Sequence, residues 1–388
     1  MTHTSNRFLT VGSLLRPEDL LNYKEQIRQA EDITYPFYND FDGYKETETA
    51  AVKSVIEKQV EVDLPELTDG EYSKALWHTD FVWGLNGARR YIAEQGYFFR
   101  DKDSKESTYE TRRDIGVDFV DAIDGKNHPF LDHFRRLAEL SPDDATLKQC
   151  IPSPSHIYGE NLVFGKLSGT YYDGKEEQFR QDLAQAYKDF LDEFKQVGGK
   201  IVQFDDCLWE LFSDDDHPFI DDKEKFEALA QEFIDLNNEV IAFAHDLGLK
   251  VYTHNCRGNY DSRNMSDGTY ESISHLFLKQ LNYDRFYLEW DDERAGSLNA
   301  LEAFSDRPDT EVVLGLLSSK TDHLDDEERV QSALKEATQY VAKDKLYLSH
   351  QCGFASCDNG NQLSHDQQWA KIKQGQKIAL DFWENKIF

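Results

Sequence analysis

The sequence predicts a (β/α)8 TIM barrel with a β-hairpin-like insertion near residues 95–120. Three observations predict it. Short apolar runs alternate with longer stretches of helical periodicity, the runs number eight, and most of them open into loops carrying polar, chemically useful residues. A chain of 388 residues is long enough for one such barrel across 1–388. A doubly wound sheet shares the alternation and is the alternative architecture.

The elements follow in order. The first run, 8–11, leads into Gly12 and Ser13, and Pro17 opens a helix to about residue 30. A second helix covers about 46–60, and the run 64–67 ends in Thr68, Asp69, Gly70 and Glu71. A third run, around 149–151, precedes Pro152, Ser153, Pro154 and Ser155. Phe179, Leu183, Tyr187, Phe190, Leu191 and Phe194 recur at helical spacing until Gly198 and Gly199 stop the helix. The run 201–204 then ends in Asp205 and Asp206. Another helix, through Phe226, Leu229, Phe233, Leu236 and Val240, stops at Gly248 before the run 251–253. Runs at 286–288, 312–316 and 346–348 complete the eight, and a helix from about 366 to 383 closes the chain. The stretch from Tyr97 to Val120 breaks this rhythm. It is too long for an ordinary loop, and it is long enough to cover the barrel mouth or to mediate contacts in a homo-oligomer.

Composition limits the partners. The net charge is −31, with no local basic patch, which excludes nucleic acid and anionic membrane surfaces. The 39% hydrophobic share includes 25 Phe and 19 Tyr, enough for a core. The first residues carry no apolar signal region, and no run is long enough to span a bilayer, so a cytoplasmic location is expected. Five widely spaced cysteines, 150, 207, 256, 352 and 357, do not form a disulfide framework.

The chemistry concentrates at the ends of the runs, where such barrels carry their active sites. His254 and Cys256 are two apart on an extended segment, so both side chains point to one side. Glu289 and Cys352 end two later runs, and one imidazole, one carboxylate and two thiolates suffice for a zinc ion. A thiolate-rich zinc site is a poor source of hydroxide. It suits deprotonation of a second thiol, and so S-alkylation of a thiol substrate. Glu71, Asp205 and Asp206 would hold an ammonium group, and Ser13 with the backbone amides beside it a carboxylate. The plain alternatives are helix capping by Ser13 or by one of the two aspartates, and small hydrophobic roles for the cysteines.

In order, Val11-Gly12-Ser13, Asp69-Gly70-Glu71, Gln203-Phe204-Asp205-Asp206, Thr253-His254-Asn255-Cys256, Leu288-Glu289 and Cys352-Gly353 resemble the C-terminal catalytic barrel of cobalamin-independent methionine synthase. The likeness covers nearly the whole chain and is nearest to the short, single-barrel methionine synthase II-like proteins. It implies zinc on His254, Cys256, Glu289 and Cys352. Homocysteine would be held by Ser13, Glu71 and Asp205, and methionine biosynthesis would be the context. Asp206 stands where the family has Glu, and Cys207 where it has Pro. The chain has no room for the family's second, folate-assisting barrel. Its seventh run, continuing as Leu316, Leu317, Ser318, Ser319 and Lys320, lacks the His that protonates a folate leaving group. Lys320 and His350 are the candidates to replace it, with His350 the catalytic choice.

The donor stays open among methyltetrahydrofolate, a methylated corrinoid or its carrier protein, and a small S-methyl compound. Trp77, His78, Phe81 and Trp83 either wall a flat donor or pack as helix, and Arg257 and Arg294 either bind an anionic donor or pair with local acids. Cys150, Cys207 and Cys357 are expected to be bystanders. The rival functions are a zinc hydrolase, a metal-independent decarboxylase of the uroporphyrinogen-type barrel, and a non-catalytic homocysteine- and zinc-binding protein.

Overall fold

A computed structural model of the protein describes residues 6–100, 106–213 and 222–384. In chain order its strands are β1 (Asn86–Tyr91), β2 (Phe98–Phe99), β3 (Tyr109–Glu110), β4 (Gly116–Asp124), β5 (Lys148–Pro152), β6 (Ile201–Asp205), β7 (Lys250–Asn255), β8 (Arg285–Glu289), β9 (Glu311–Leu317) and β10 (Leu346–His350). The last six form one parallel sheet in the order β10-β9-β8-β7-β6-β5. Their runs are almost continuously apolar because helices cover the sheet's outer face, leaving neither side to water.

The first two apolar runs join this sheet as bridges rather than full strands. Phe8 pairs in parallel with Leu348 at one edge, and Leu67 with Leu147 at the other. Between the two runs the contacts are loop and side-chain bonds: Thr68 Oγ1 donates to Gly12 O at 2.7 Å, and Leu14 N to Gly70 O at 3.0 Å. Eight segments thus make the ring that the periodicity predicts, with its thinnest joint beside Ser13 and Glu71.

Helix Glu176–Gln196 buries Phe179, Leu183, Tyr187, Phe190, Leu191 and Phe194. It ends where Gly198 takes φ +95°, and Gly199 N returns to Phe194 O at 2.8 Å. The inside of the barrel is more polar than the runs suggest. Lys148, fully buried, donates to Thr10 O, Val11 O and Gln203 Oε1. Arg285 reaches Glu66 at 2.5 Å.

The insertion is two nested antiparallel pairs, β1 with β4 and β2 with β3. Residues 101–105, part of the predicted hairpin, lie outside the described residues. Phe99 packs on Tyr260 with ring centroids 5.5 Å apart, and Arg100 N donates to Asn264 O, so this segment lies across the barrel mouth. Among the described residues, no helix is long and apolar enough to cross a membrane.

Candidate active site

A cleft lies at the strand C-terminal end, where barrels of this kind carry their sites. Ser13, Glu71, Asp205, His254, Cys256 and Cys352 all line it.

β7 delivers His254 from its last turn of pleat and Cys256 just beyond, and the loop after β10 delivers Cys352. One ligand atom from each lies within 4.8 Å of the other two. His254 is 3% exposed, yet neither ring nitrogen has a hydrogen-bond partner among the described residues. Buried polar atoms are seldom left so. A cation placed among these donors would satisfy the imidazole, and the three residues therefore fit a soft divalent metal. Hydrogen bonding with Cys207, then burial, pushes the Cys256 thiol well above its ordinary range. Binding a metal there must expel protons.

Glu289 does not join that trio. Its carboxylate accepts from Arg257 N at 2.7 Å and from Arg294 Nη2 at 3.1 Å, with Lys320 Nζ at 3.6 Å. Cys207, expected to be a bystander, is closer: its sulfur is 3.3 Å from that of Cys256, and both line the cleft. Its signal was the Pro position it takes over, two residues past Asp205.

Glu71 and Asp205 converge with Cys150 within 4.8 Å. Burial and the adjacent Glu71 carboxylate push Asp205 up to about 7, against the pull of Lys74. Two close, buried carboxyls resist joint ionisation, and the buried ammonium beside them, Lys74 at 3.5 Å from Glu71, leaves room for a second cation to be favoured. Glu71 sits at φ +61°, a left-handed conformation unusual for a side chain with a Cβ. Asp69 Oδ1 holds its N–H at 2.8 Å, and the Arg16 guanidinium takes its carbonyl at 2.7 Å. Arg16 also donates to the carbonyls of Lys74, Ala355 and Cys357, tying three loops together. Ser13 caps no helix, since the helix Glu18–Gln29 begins after Pro17. Its hydroxyl accepts from Ala355 N at 3.3 Å, and a Cβ on Gly353 would fall 1.9 Å from it, so only glycine fits there.

Asp206 and His350 do not line the cleft. Asp206 Oδ2 accepts from Ser155, Trp209 and Asn237 behind the strand, because adjacent strand residues point to opposite sides. His350 is 2% exposed and packs edge-on against Phe8 and Phe354. Lys320 lies against Glu289 rather than in the cleft. Of the aromatic group after Glu71, Trp77 and His78 line the cleft, while Phe81 and Trp83 belong to the core.

Sequence reasoning missed a second set. His156 and Glu160 project from helix Pro154–Val163, and they meet Tyr97 and Phe99 of the insertion, the segment expected to cover the mouth. Burial opposes ionisation of Glu160, but the Lys166 ammonium and the two imidazoles hold it well below the usual carboxylate range. Burial pushes His78 down to about 4, and burial with His78 pushes His156 down to about 3. Their signal was an i, i+4 pair, His156 and Glu160, on one helix face.

Residues 166–365 match the cobalamin-independent synthase catalytic-domain family. The uncharacterized proteins YxjH and YxjG of Bacillus subtilis are 35% and 34% identical, each over 96% of this chain and over 93% and 94% of their own lengths. A solved structure from Listeria monocytogenes, assigned as a vitamin-B12-independent methionine synthase, is 28% identical, covers 99% of both chains and has a TM-score of 0.70. The fold is also that of a B12-independent methionine synthase from Shewanella, solved with selenomethionine (19% identity, 97% of this chain, 96% of that one, TM-score 0.64). The chain belongs to the cobalamin-independent methionine synthase family and is a methyltransferase of that type.

Proposed function

We propose that the protein is a zinc-dependent S-methyltransferase that methylates the thiol of homocysteine to give methionine. The observation that carries this is the convergence of His254, Cys256 and Cys352 in the cleft shared with Glu71 and Asp205. The first set are soft donors for one zinc ion, and the second are acids for an α-ammonium group. When bound, zinc holds the acceptor sulfur as a thiolate at neutral pH.

The chain's own groups do the rest. Glu71 and Asp205 neutralise the ammonium of the amino acid, and Ser13 with the amides beside it takes the carboxylate. Held at that end, the substrate directs its side-chain sulfur toward the trio, and fixed placement of this kind supplies much of a transfer reaction's rate. Tyr97 and Phe99 of the insertion, with Trp77, exclude water from the donor side. Glu289 is best read as orienting Arg257, Arg294 and Lys320 around the metal loop rather than as a necessary fourth ligand. His350 is left without a part in the chemistry.

Metal analysis tests the reading. Wild-type protein should carry near-stoichiometric zinc and bind homocysteine. Cys256→Ser and Cys352→Ser should lose most of the metal, and Glu289→Gln should keep it. Full zinc retention in both cysteine variants would end the proposal.

A further inference from the structure

Apart from the groups assigned to the amino acid and the metal, the cleft is walled by Trp77, Tyr97, Phe99 and Tyr260, with two further acids, Glu160 and Glu210. Among the described residues that line it there are four carboxyls and no lysine or arginine. Lys166 meets Glu160 from outside that lining, pairing with one carboxylate oxygen and leaving the other beside His78 and His156 at 3.5 and 3.7 Å. The Glu210 side chain accepts one hydrogen bond among the described residues, from Ser266 Oγ at 3.5 Å, and burial with the Glu289 carboxylate pushes it up to about 8, so a bound cation would draw it into the ionised form. Aromatic faces backed by carboxylates are the arrangement that recognises an organic cation. A polyanionic donor such as a polyglutamated folate finds no lysine or arginine among the described residues lining the cleft to meet its charges.

We propose that the methyl donor is a small onium ion, a methylsulfonium or a quaternary methylammonium, seated against Trp77 with its charge facing Glu160 and Glu210. This rests on the acceptor reading above. The acceptor thiolate's electron pair forms the new S–CH3 bond. The bond from that methyl to the onium sulfur or nitrogen breaks, and its pair stays on the leaving atom. A thiolate and a cation become two neutral molecules, and no proton or further reactant is required.

The test uses zinc-loaded enzyme and homocysteine with five donors in separate arms: S-methylmethionine, dimethylsulfoniopropionate, glycine betaine, triglutamyl methyltetrahydrofolate and methylcobalamin. Methionine should form from an onium, and the sulfonium and ammonium arms decide which. Glu210→Gln and Trp77→Leu should each raise the donor KM at least about tenfold while leaving the homocysteine KM within about twofold. Turnover with the folate or the corrinoid and none with an onium overturns the inference. Calorimetry with trimethylsulfonium alone, against neutral tert-butanol, separates the two readings. Trimethylsulfonium binding that both variants abolish, without homocysteine binding, leaves the onium site standing and removes the acceptor reading. Homocysteine binding without any trimethylsulfonium binding does the reverse.

Discussion

The sulfur of Cys207 lies 3.3 Å from the sulfur of Cys256, inside the same buried group of thiols as Cys352. Only a short closure separates this contact from a disulfide, which would take Cys256 out of the metal trio. Zinc-free protein treated with hydrogen peroxide should therefore form a Cys207–Cys256 cross-link, seen by peptide mass spectrometry, and zinc-loaded protein should resist it. Cys207→Ala should retain zinc and lose this sensitivity. A cross-link that forms equally fast with zinc bound would show that Cys256 is not held by the metal.

Asp205 predicts a pH-dependent affinity. With its carboxyl pushed up to about 7, the ligand-free site is protonated below that pH, whereas an ammonium group prefers the ionised form. Methionine suits the measurement because it has no thiol proton. Its Kd should rise toward tenfold per unit as pH falls below about 7. Asp205→Asn should flatten that slope and weaken binding by about 2 kcal/mol.

Arg16 supports the whole mouth of the barrel through four carbonyls, including the one on the left-handed Glu71. Arg16→Met keeps much of the volume and leaves the carbonyls of Lys74 and Ala355 buried without a donor among the described residues, while Glu71 O and Cys357 O keep only the N–H groups of Lys74 and Gly360. The expected loss is about 3 kcal/mol of stability, read as a lower midpoint in urea. A larger KM for homocysteine should accompany it, since Glu71 is freed to leave its strained conformation.

His128 predicts a loss of stability in acid. Its Nε2 donates to Phe81 O at 2.8 Å and its Nδ1 accepts from Phe130 N at 3.1 Å, so the native state holds the neutral ring. Burial pushes it down to about 4, whereas an unfolded histidine titrates near 6.5. The unfolded chain thus binds a proton that the native state refuses. Stability contributed by His128 is full above about 6.5 and is lost as pH falls toward 4, by about 3 kcal/mol over the window. His128→Asn, which can still cap Phe130 N, should reduce the slope of unfolding free energy between those pH values.

Much of the barrel was legible because a parallel strand covered on both faces has to be apolar, and Ile201, Val251 and Phe286 announce it. His254 and Cys256 were legible for a similar reason, since a spacing of two on extended backbone puts both side chains on one side. The same rule separates Asp205 from Asp206, neighbours that face opposite ways, although composition makes them look equivalent. Glu289 ends its strand as expected, yet its carboxylate is taken by the Arg294 guanidinium five residues on, by the Arg257 N–H and by Lys320, and the pairing of Arg294 with a local acid was one of the two readings the sequence offered. Part of the cleft's outer wall was hidden for another reason. His156 and Glu160 come from a helix rather than from strand ends, so an inventory of strand termini passes over them, whereas Tyr97 and Phe99 belong to the insertion whose length already suggested a cover for the mouth.

The weak joint between the first two segments of the ring has a consequence for motion. Every other seam is a parallel ladder or a bridge, but here the described bonds are the Leu14–Gly70 backbone bond and side-chain bonds from Thr68, Arg16 and Tyr72, with no ladder. The residues on its two banks, Ser13 and Glu71, are those that would grip the two ends of one amino acid. A bound ligand then acts as a rung across the gap. The amides of Leu14 and Gly70 should exchange with solvent faster than those of β6 and β7 in the free protein, and slow sharply when the cleft is filled. The barrel would in that sense finish folding around its substrate.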